Sequence, residues 1–544
     1  MGTWSSGRQR ADKVPAPGPR TSVWSVTWVT FRPRRPHASL VTISSEISRF
    51  RGGTLRWTAF LLVFCAAAFA TNAQPHRLKS APKTVTLPVT TSSPAAHKEF
   101  EHAMADLEAL RRADALNDLR AAVKRDPKFA QAQILIAHLT HDPDEQVAAR
   151  ARAEQLAAHV TPGERLLIRW LSGVQENNYV PAISAMNDLL AMYPQDHRTA
   201  FLAGRWLVHQ RRYPQGVFVL EHAVALFPDY PAALNELAYA YAFSGNFEKA
   251  SALMERYVQL QPDQPNPYDS YGEILRASGQ YDAALDKYRM AIRVDPTFGS
   301  ELGVADTYAV MGREAEAREE YAKALMFVTS ESDRVEYELQ SALTWIRENN
   351  HKQVDKSLHE VAKHAHAVGL AKLEAEANRI MAMSAPDYKD ATHHLKAAEH
   401  ALDEGHPISK TDREEERALV LKVVALRAAQ NKSIETAAKA VAQLELMAAQ
   451  SRSQIIQLAY HSAAGAVLVE QEKCAEAIPH LQEDVESPES MQLLWTAYKQ
   501  TGAQEDAKIL AGRLAGINEP TVEQALVVPQ FRVMLADQQQ QAAK

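Results

Sequence analysis

The stretch AALNELAYAYAFSGNFEKASALMERYVQLQPD, residues 232–263, contains two amphipathic helical patterns in succession. The first pattern places four apolar residues at helical spacing on one face before Gly245, which is a typical helix stop. These residues are Leu234, Leu237, Ala238 and Tyr241. The second pattern starts at Phe247 and ends before Pro262, because proline cannot continue a helix. The stretch therefore predicts a pair of antiparallel helices joined by a short turn.

This pair recurs along the chain at an interval of 34 residues. The interval separates the members of three sets of matching positions: Pro194, Pro228, Pro262 and Pro296; Tyr179, Tyr213, Phe247 and Tyr281; and Ala182, Gly216, Ala250 and Ala284. A further copy follows these units after a one-residue deletion. It contains Val304, Ala305, Tyr308, Gly312, Ala317, Tyr321 and Ala324. A fixed period of this length indicates stacked helix pairs rather than one globular core.

Small and large residues alternate in a characteristic way within these units. Small residues at Gly204, Ala238, Gly272 and Ala305 let paired helices approach closely, and large residues at Tyr213, Phe247 and Tyr281 fill the space toward the next pair. The pattern closely resembles the tetratricopeptide repeat, most strongly over residues 163–330. This resemblance implies an all-α fold, an α-solenoid forming a right-handed superhelix of about a dozen antiparallel helix pairs.

The repeats divide the chain into segments. We expect a tetratricopeptide repeat array over residues 95–330, a divergent helical continuation over 331–516, and a C-terminal cover and tail over 517–544. Within the last segment the apolar residues of 525–535 are expected to pack against the final helices, and the glutamines of 538–541 are expected to fray.

The residues ahead of the array predict export. Arg49, Arg51 and Arg56 precede the apolar run Trp57–Ala70, which is followed by small residues up to Ala73. These are the parts of a secretory signal peptide, and the run is short for a membrane span. Residues 49–73 are therefore predicted to be a signal peptide of a periplasmic or secreted bacterial protein, or alternatively an uncleaved inner-membrane anchor. Residues 1–48 are expected to be a disordered extension or a mis-assigned start, and 74–94 a flexible linker.

Charge is unevenly distributed between these parts. Residues 1–73 carry ten Lys/Arg and two Asp/Glu, which leaves 50 basic and 64 acidic residues in the remaining chain. An acidic body of this kind argues against binding of nucleic acid. The two cysteines are Cys65, within the predicted signal, and Cys474, which is expected to be a small core residue.

The resemblance also implies where a partner binds. In tetratricopeptide repeats the first helix of each pair lines a concave groove that takes peptides. The positions that match are Arg198, Phe201, Arg205 and His209 in one unit, Asn235, Tyr239 and Phe243 in the next, and Asn266, Asp269, Glu273 and Arg276 in the third. The residues of the three units thus form a basic, an aromatic-polar and an acidic group along the groove, and we call these groups steps. This succession suits an extended peptide of mixed charge.

No arrangement of catalytic residues is recognisable. His359 and His364 flank a glutamate, but they lie five residues apart and therefore on different helix faces, unlike the zinc-protease motif. The sequence predicts no cofactor, no metal site and no enzyme. We expect a non-enzymatic scaffold that binds a peptide or partner protein in the bacterial envelope. Two alternatives stay open: an accessory subunit or sensor arm of a membrane-anchored complex, and a hydrolase with an unrecognised site, which a closed cavity of converging polar side chains would favour.

Overall fold

The structure is a computed structural model, and it describes residues 86–404 and 406–542. The predicted extension, the predicted signal peptide and most of the predicted linker lie outside these residues. The first eight helices are α1 (Pro94–Glu108), α2 (Arg112–Arg125), α3 (Ala130–Leu139), α4 (Pro143–Leu156), α5 (Pro162–Gln175), α6 (Tyr179–Met192), α7 (His197–His209) and α8 (Tyr213–Leu226). The next eight are α9 (Pro231–Phe243), α10 (Phe247–Leu260), α11 (Asn266–Ala277), α12 (Tyr281–Val294), α13 (Glu301–Val310), α14 (Glu314–Ala324), α15 (Glu331–Arg347) and α16 (His351–Ala367). The last nine are α17 (Ala371–Ser384), α18 (Tyr388–Glu404), α19 (Lys410–Gln430), α20 (Ile434–Gln450), α21 (Gln454–Glu470), α22 (Cys474–Glu483), α23 (Pro488–Gln500), α24 (Gln504–Ala515) and α25 (Val522–Ala542).

Successive helices pack in twelve pairs, from α1/α2 to α23/α24, and α25 follows the last pair. Within the described residues the regular structure is helical throughout, with a short 3-10 turn after α4 and no strand. The predicted all-α solenoid of about a dozen helix pairs is therefore confirmed.

The repeated aromatic and glycine positions mark the turns inside each pair. The aromatic set Tyr179, Tyr213, Phe247 and Tyr281 supplies the first residue of each second helix. Gly245 and Gly279 each stand two residues before such a start, with φ of 74° and 83°. Only glycine adopts this left-handed conformation without steric cost, and it reverses the chain between the paired helices.

The predicted close helix crossings are present around a buried tyrosine. Tyr288 on α12 is 1% exposed, and its ring lies against Gly272 of α11 and Gly303 of α13. A Cβ atom at Gly272 would stand 2.9 Å from Cε1 of Tyr288, and one at Gly303 would overlap the same ring. The aromatic ring therefore occupies the space that two glycines leave free, one within its own pair and one in the next.

The superhelix closes on itself between distant pairs. The Asn177 backbone N–H, between α5 and α6, donates to the Thr411 hydroxyl at 2.7 Å. The Tyr179 hydroxyl donates to Glu415 Oε1 of α19 at 2.9 Å, and the Ser451 hydroxyl donates to Asn177 Oδ1 at 2.6 Å. The α5/α6 and α19/α20 pairs are seven pairs apart in the chain. One turn of the superhelix therefore rests on the next, and its concave side becomes an interior.

The C-terminal helix α25 contributes to this closure. It packs on the final helices, with the Phe531 and Trp495 rings 5.3 Å apart. It also reaches earlier pairs, because Arg532 donates to the Val310 carbonyl of α13 and Arg347 of α15 donates to Gln524 Oε1 at 2.8 Å. The cover thus spans from the last repeats back to the middle of the array. The tail residues 538–541 continue the helix, exposed to solvent.

The described end of the predicted linker, residues 86–93, is anchored along the first repeats. The Leu87 backbone N–H donates to Asp196 Oδ2 at 2.6 Å, and Thr90 donates through its backbone and hydroxyl to Glu164 at 2.7 and 2.6 Å. Leu87 and Val89 pack against the N-terminal hydrophobic core. These groups add to the hydrogen bonds that Asp196 accepts from Thr199 and Glu164 accepts from Thr161, so the segment helps to satisfy two buried carboxylates.

Replacing Gly303 by alanine tests the packing around Tyr288. The added methyl group overlaps the Tyr288 ring, which also lies against Gly272. We therefore expect Gly303→Ala to lower the free energy of unfolding by about 1–3 kcal/mol. The control is Gly512→Ala on α24, where a Cβ meets no atom within 4 Å. That change should stabilise the protein by roughly 0.5–1 kcal/mol through helix propensity. Chemical denaturation measures both, and equal stabilisation by the two substitutions would contradict the packing.

Candidate functional site

Two adjacent cavities lie inside the closed superhelix. The first, cavity A, has a volume of about 70 Å³, and the second, cavity B, about 80 Å³. Either is several times the space that one water molecule needs. Their walls share Leu339, Gln340, Glu376 and Thr521, so the two follow one another through the interior.

Cavity A brings together the predicted acidic step and residues from the distant half of the chain. Its charged lining consists of Asp269, Glu273, Arg276, Asp306, Glu336, Glu376 and Glu519. Its aromatic lining consists of Tyr239, Phe243 and Tyr288. The helices α9, α11 and α13 supply one wall, and α15, α17 and the loop before α25 supply the other. The cavity therefore exists only because the superhelix closes.

One guanidinium organises part of this wall. Arg276 Nη1 lies 3.2 Å from Asp306 Oδ2 and 3.3 Å from the Tyr288 hydroxyl, and Arg276 Nη2 lies 3.5 Å from Glu273 Oε1. The Tyr239 hydroxyl donates to Glu273 Oε2 at 2.6 Å, and the Tyr321 hydroxyl donates to Asp306 Oδ1 at 2.6 Å. Glu273 and Asp306 are therefore both held by the guanidinium and by a buried tyrosine.

Asp269 differs from these two carboxylates. Asp269 is 5% exposed, and its Oδ1 atom has no hydrogen-bond partner within hydrogen-bond distance among the described residues. Burial raises the pKa of Asp269 to about 7; the nearby Ser300 hydroxyl and Arg276 oppose the shift, and the charge of Glu273 adds to it. Burial also raises the pKa of Glu273. The cavity thus contains a carboxyl group that changes charge near neutral pH.

Cavity B is balanced in charge. It is lined by Arg211, Arg379 and Lys422 and by Glu376, Asp484 and Glu523. Arg379 Nε lies 2.6 Å from Glu416 Oε1, and Lys422 Nζ lies 2.8 Å from Glu489 Oε2. Arg379 and Lys422 thus each have a carboxylate at contact distance, and this pairing offsets the cost of removing the charges from water.

The structure divides the eleven predicted groove residues into two sets. Five of them line cavity A: Tyr239, Phe243, Asp269, Glu273 and Arg276. The other six are engaged elsewhere in the fold: Arg198, Phe201, Arg205, His209, Asn235 and Asn266. The predicted steps are therefore split between cavity A and contacts with neighbouring helices.

The contacts of the second set are with neighbouring helices. Arg198 Nε lies 2.6 Å from Glu108 Oε1 of α1, and Arg205 Nε lies 3.2 Å from Glu236 Oε1 of α9. Phe201 is 8% exposed and stands 5.2 Å from the Tyr230 ring. These side chains therefore join adjacent elements of the array.

The remaining three of this set are also turned inward. Asn235 is 6% exposed, and the Asn266 Oδ1 atom accepts a hydrogen bond from the Tyr257 hydroxyl at 3.0 Å. Burial and the charge of Arg205 lower the pKa of His209 well below its ordinary value. Within the predicted basic step Phe201 and Arg205 are thus buried, whereas Arg198 and His209 are half-buried.

Sequence patterns did not indicate the far wall of cavity A. Glu336 and Gln340 belong to α15, Glu376 to α17, and Glu519 to the loop before α25. These residues lie in the divergent continuation and the C-terminal segment, where the 34-residue period is weak. Their meeting with Asp269 depends on contacts between superhelical turns, which leave no local signature.

The remaining candidate motifs stay apart from the cavities. His364 on α16 contacts Glu338 at 2.8 Å and Glu331 at 3.1 Å. Cys474 begins α22 and is 4% exposed. Across residues 86–404 and 406–542, no group of three or more His, Cys, Asp or Glu side chains is arranged to hold a metal ion. In the same ranges no helix has the length and apolar character that crossing a membrane requires.

Stacked helix pairs with this alternation of small and aromatic residues define an α-solenoid of repeats. Residues 207–270 match the sequence model of the tetratricopeptide repeat, which covers α8 to α10 with parts of their neighbours. The chain therefore contains tetratricopeptide repeats, as the sequence pattern predicted.

Solved structures with similarity to this chain have low identity. The APC/C hetero-tetramer Cut9-Hcn1 is 16% identical over 74% of this chain and 76% of that chain, with a TM-score of 0.37. PilW, a widely conserved type IV pilus biogenesis factor, is 18% identical over 38% and 96%, with a TM-score of 0.28. YrrB, a tetratricopeptide repeat protein with an unusual peptide-binding site, is 13% identical over 34% and 95%, with a TM-score of 0.24. No curated protein matches the sequence.

Replacing Asp269 by asparagine tests its environment. Because its pKa is raised in the folded protein, the stability that its protonated form contributes is full below the unfolded pKa of about 3.9 and is lost as pH rises through about 7. Between pH 5 and pH 8 the free energy of unfolding of the native chain should therefore fall, relative to Asp269→Asn, by up to about 3 kcal/mol. Denaturant titrations at both pH values measure this difference. The exposed Asp263→Asn serves as the control, and an equal pH dependence in all three proteins would contradict the assignment.

Proposed function

We propose that this protein is a non-enzymatic interaction scaffold that binds a short segment of a partner protein in cavity A. The observation that carries the proposal is the convergence of Tyr239, Phe243, Asp269, Glu273 and Arg276 on one cavity. These side chains come from two successive repeats, at positions that contact peptides in the family that the sequence resembles. Tetratricopeptide repeats build interaction surfaces rather than reaction centres, which supports a scaffold as the general role.

The shape of the interior favours a short insertion over a long extended peptide. Helix α1 and the basic residues of α7 occupy the beginning of the concave side through the Arg198–Glu108 pair. The loop before α25 closes the other side, where the Asn518 Nδ2 atom donates to the Ala277 carbonyl at 3.3 Å. A single side chain or a chain terminus fits a cavity between these elements, whereas a peptide running along all repeats does not.

The aromatic wall suits such an insertion. The Tyr239 and Phe243 rings are stacked with centroids 6.0 Å apart, and both residues are 8% exposed. Rigid aromatic side chains give large contact areas at low conformational cost and dominate binding energies at protein interfaces. Cavity A thus combines an apolar surface with a few polar groups, as binding pockets commonly do.

A hydrolase is the second candidate, and one observation favours it. Converging polar side chains in a closed cavity include Asp269, whose pKa of about 7 suits a general acid or base. The carboxylates of Glu273 and Asp306 already have partners. Arg276 contacts both, the Tyr239 hydroxyl donates to Glu273, and the Tyr321 hydroxyl donates to Asp306. A scaffold accounts for all these contacts, whereas a hydrolase requires a further catalytic group that they do not provide.

Filling cavity A should abolish partner binding. Ala277 lines the cavity at the end of α11, so Ala277→Phe places a ring inside it. The matched control is Ala252→Phe, at an exposed position on α10. We expect selection from a random peptide library on phage to enrich a shared sequence with the native protein and with Ala252→Phe. Fluorescence polarisation should then show at least a tenfold weaker affinity of that peptide for Ala277→Phe.

Two results would contradict this expectation. Failure of the native protein to enrich any sequence would remove the peptide-binding proposal, and equal affinity of the native protein and Ala277→Phe would place the binding site elsewhere. Thermal unfolding and circular dichroism establish that both phenylalanine variants remain folded before binding is compared.

We also propose that the scaffold acts in the bacterial envelope. The support is the basic and apolar pattern of residues 49–73, which is typical of a signal peptide. Cleavage after Ala73 should leave Gln74 as the first residue of the mature protein. N-terminal sequencing of the protein from the periplasmic fraction measures this. Recovery of the uncleaved chain in the membrane fraction would support the anchored arrangement instead.

A further inference from the structure

We infer that cavity A recognises an organic cation, namely the guanidinium or ammonium group of an arginine or lysine side chain in the bound segment. This inference rests on the proposed function and names the chemistry of what enters the cavity. It follows from three features of the lining: its charge, an unpaired carboxylate oxygen and its aromatic surface.

The first feature is an excess of negative charge. Six carboxyl groups line cavity A, and the one cationic side chain among its lining residues is Arg276. The six are Asp269, Glu273, Asp306, Glu336, Glu376 and Glu519. Glu376 lies 3.2 Å from Arg379, and Arg276 forms ion pairs with Glu273 and Asp306. Ionised groups of one sign in a buried space attract a mobile ion of the opposite sign.

The second feature is the Oδ1 atom of Asp269. Asp269 is 95% buried, since 5% of its surface is exposed, and it lines the cavity. The Ser300 hydroxyl interacts with its carboxyl group, but the Oδ1 atom has no hydrogen-bond partner within hydrogen-bond distance among the described residues. Most buried polar atoms have a partner, and leaving one unpaired costs about 1–3 kcal/mol. A donor entering the cavity satisfies this acceptor. Guanidinium and ammonium groups supply such donors together with a positive charge.

The third feature is the nonpolar part of the lining. Tyr239, Phe243 and Tyr288 stand beside Ile274, Leu302 and Leu339 around the cavity. Aromatic faces attract organic cations, and the methylene groups of arginine and lysine pack on apolar surfaces. An inorganic cation would gain nothing from such walls. The carboxyl groups moreover form no cluster suited to a metal ion within the described part of the chain.

Cavity B provides an internal comparison. It has a similar size and adjoins cavity A in the interior, but its three cationic side chains equal its three carboxylates in number. Lys422 contacts Glu489 at 2.8 Å and Arg379 contacts Glu416 at 2.6 Å. The protein thus supplies its own cations where two turns of the superhelix meet at cavity B. At cavity A Glu376, Glu273 and Asp306 are paired in the same way, whereas the Oδ1 atom of Asp269 is left for an incoming group.

Cation binding should also depend on pH. The groups that face Asp269 lie on helices α9, α11, α12, α13 and α15 and on the turn before α13, and they are Tyr239, Glu273, Arg276, Tyr288, Ser300, Asp306 and Tyr337. Below about pH 7 a proton on Asp269 competes with the ligand, so binding strengthens as pH rises. Ionised Asp269 is the form that accepts two charge-assisted hydrogen bonds.

The test compares two small probes that differ in charge and little in shape. N-acetyl-arginine amide and its uncharged citrulline analogue are titrated into the native protein at pH 5 and pH 8 by isothermal calorimetry. We expect the arginine probe to bind at least tenfold more tightly than the citrulline probe at pH 8, and this ratio to shrink at pH 5. Asp269→Asn should weaken arginine binding about tenfold, while the control Asp484→Asn, in cavity B, should leave it unchanged.

Each outcome decides the inference. Equal affinity for the two probes, or undiminished arginine binding by folded Asp269→Asn, overturns it. If the peptide library enriches sequences without arginine or lysine that Ala277→Phe fails to bind, the scaffold proposal stands and the cation inference falls. If the arginine probe binds but no peptide is enriched, cavity A takes a free cation and the scaffold proposal falls. Spermidine is titrated in parallel as a free organic cation. Tighter binding of spermidine than of the arginine probe identifies a free cation, and not a peptide side chain, as the ligand of cavity A.

Discussion

The fit of Tyr288 between Gly272 and Gly303 is the contact on which the centre of the molecule depends. It joins one helix pair to the next, since the two glycines belong to α11 and α13. The same ring places its hydroxyl 3.3 Å from Arg276 Nη1. A packing contact of the repeat therefore also orients the guanidinium that organises one wall of cavity A.

Closure of the superhelix changes what the repeats can do. An open solenoid presents its concave face to solvent, where a long peptide can lie along successive first helices. Here the Tyr179–Glu415 contact and the hydrogen bonds of Arg532 join turns that lie far apart in the sequence. The concave face becomes an interior that contains cavities A and B, and polar side chains at the predicted groove positions contact partners on neighbouring helices.

The buried charged side chains show the effect of this closure. Side chains of an exposed groove exchange with water, but Arg205 and Glu236 are 8% and 7% exposed and pair with each other. Removing such groups from water is costly unless they are paired, which accounts for the balanced lining of cavity B. Cavity A departs from that balance at Asp269, and a buried carboxyl group with a raised pKa in a cavity is a common feature of binding sites.

The residue pattern was sufficient to predict the local architecture. A 34-residue period places apolar faces, helix stops and small residues within one or two helices of each other, so Gly245, Phe247 and Gly272 could be assigned without coordinates. It also indicated Asp269, Glu273 and Arg276 as neighbours on one helix face. The six groove positions that proved to be packed, such as Arg198 and Asn235, were assigned on the assumption of an open concave side.

What the sequence by itself determined about this protein is therefore the helix pair, its repetition and the positions of close approach, because these follow from interactions between residues near one another in the chain. Tertiary structure alone decided the closure, the far wall of cavity A and the burial of the predicted groove. The meeting of Asp269 with Glu336 and Glu519 depends on the accumulated rotation of many pairs. Each pair contributes a small angle to that rotation, and the angle is set by packing across the whole array.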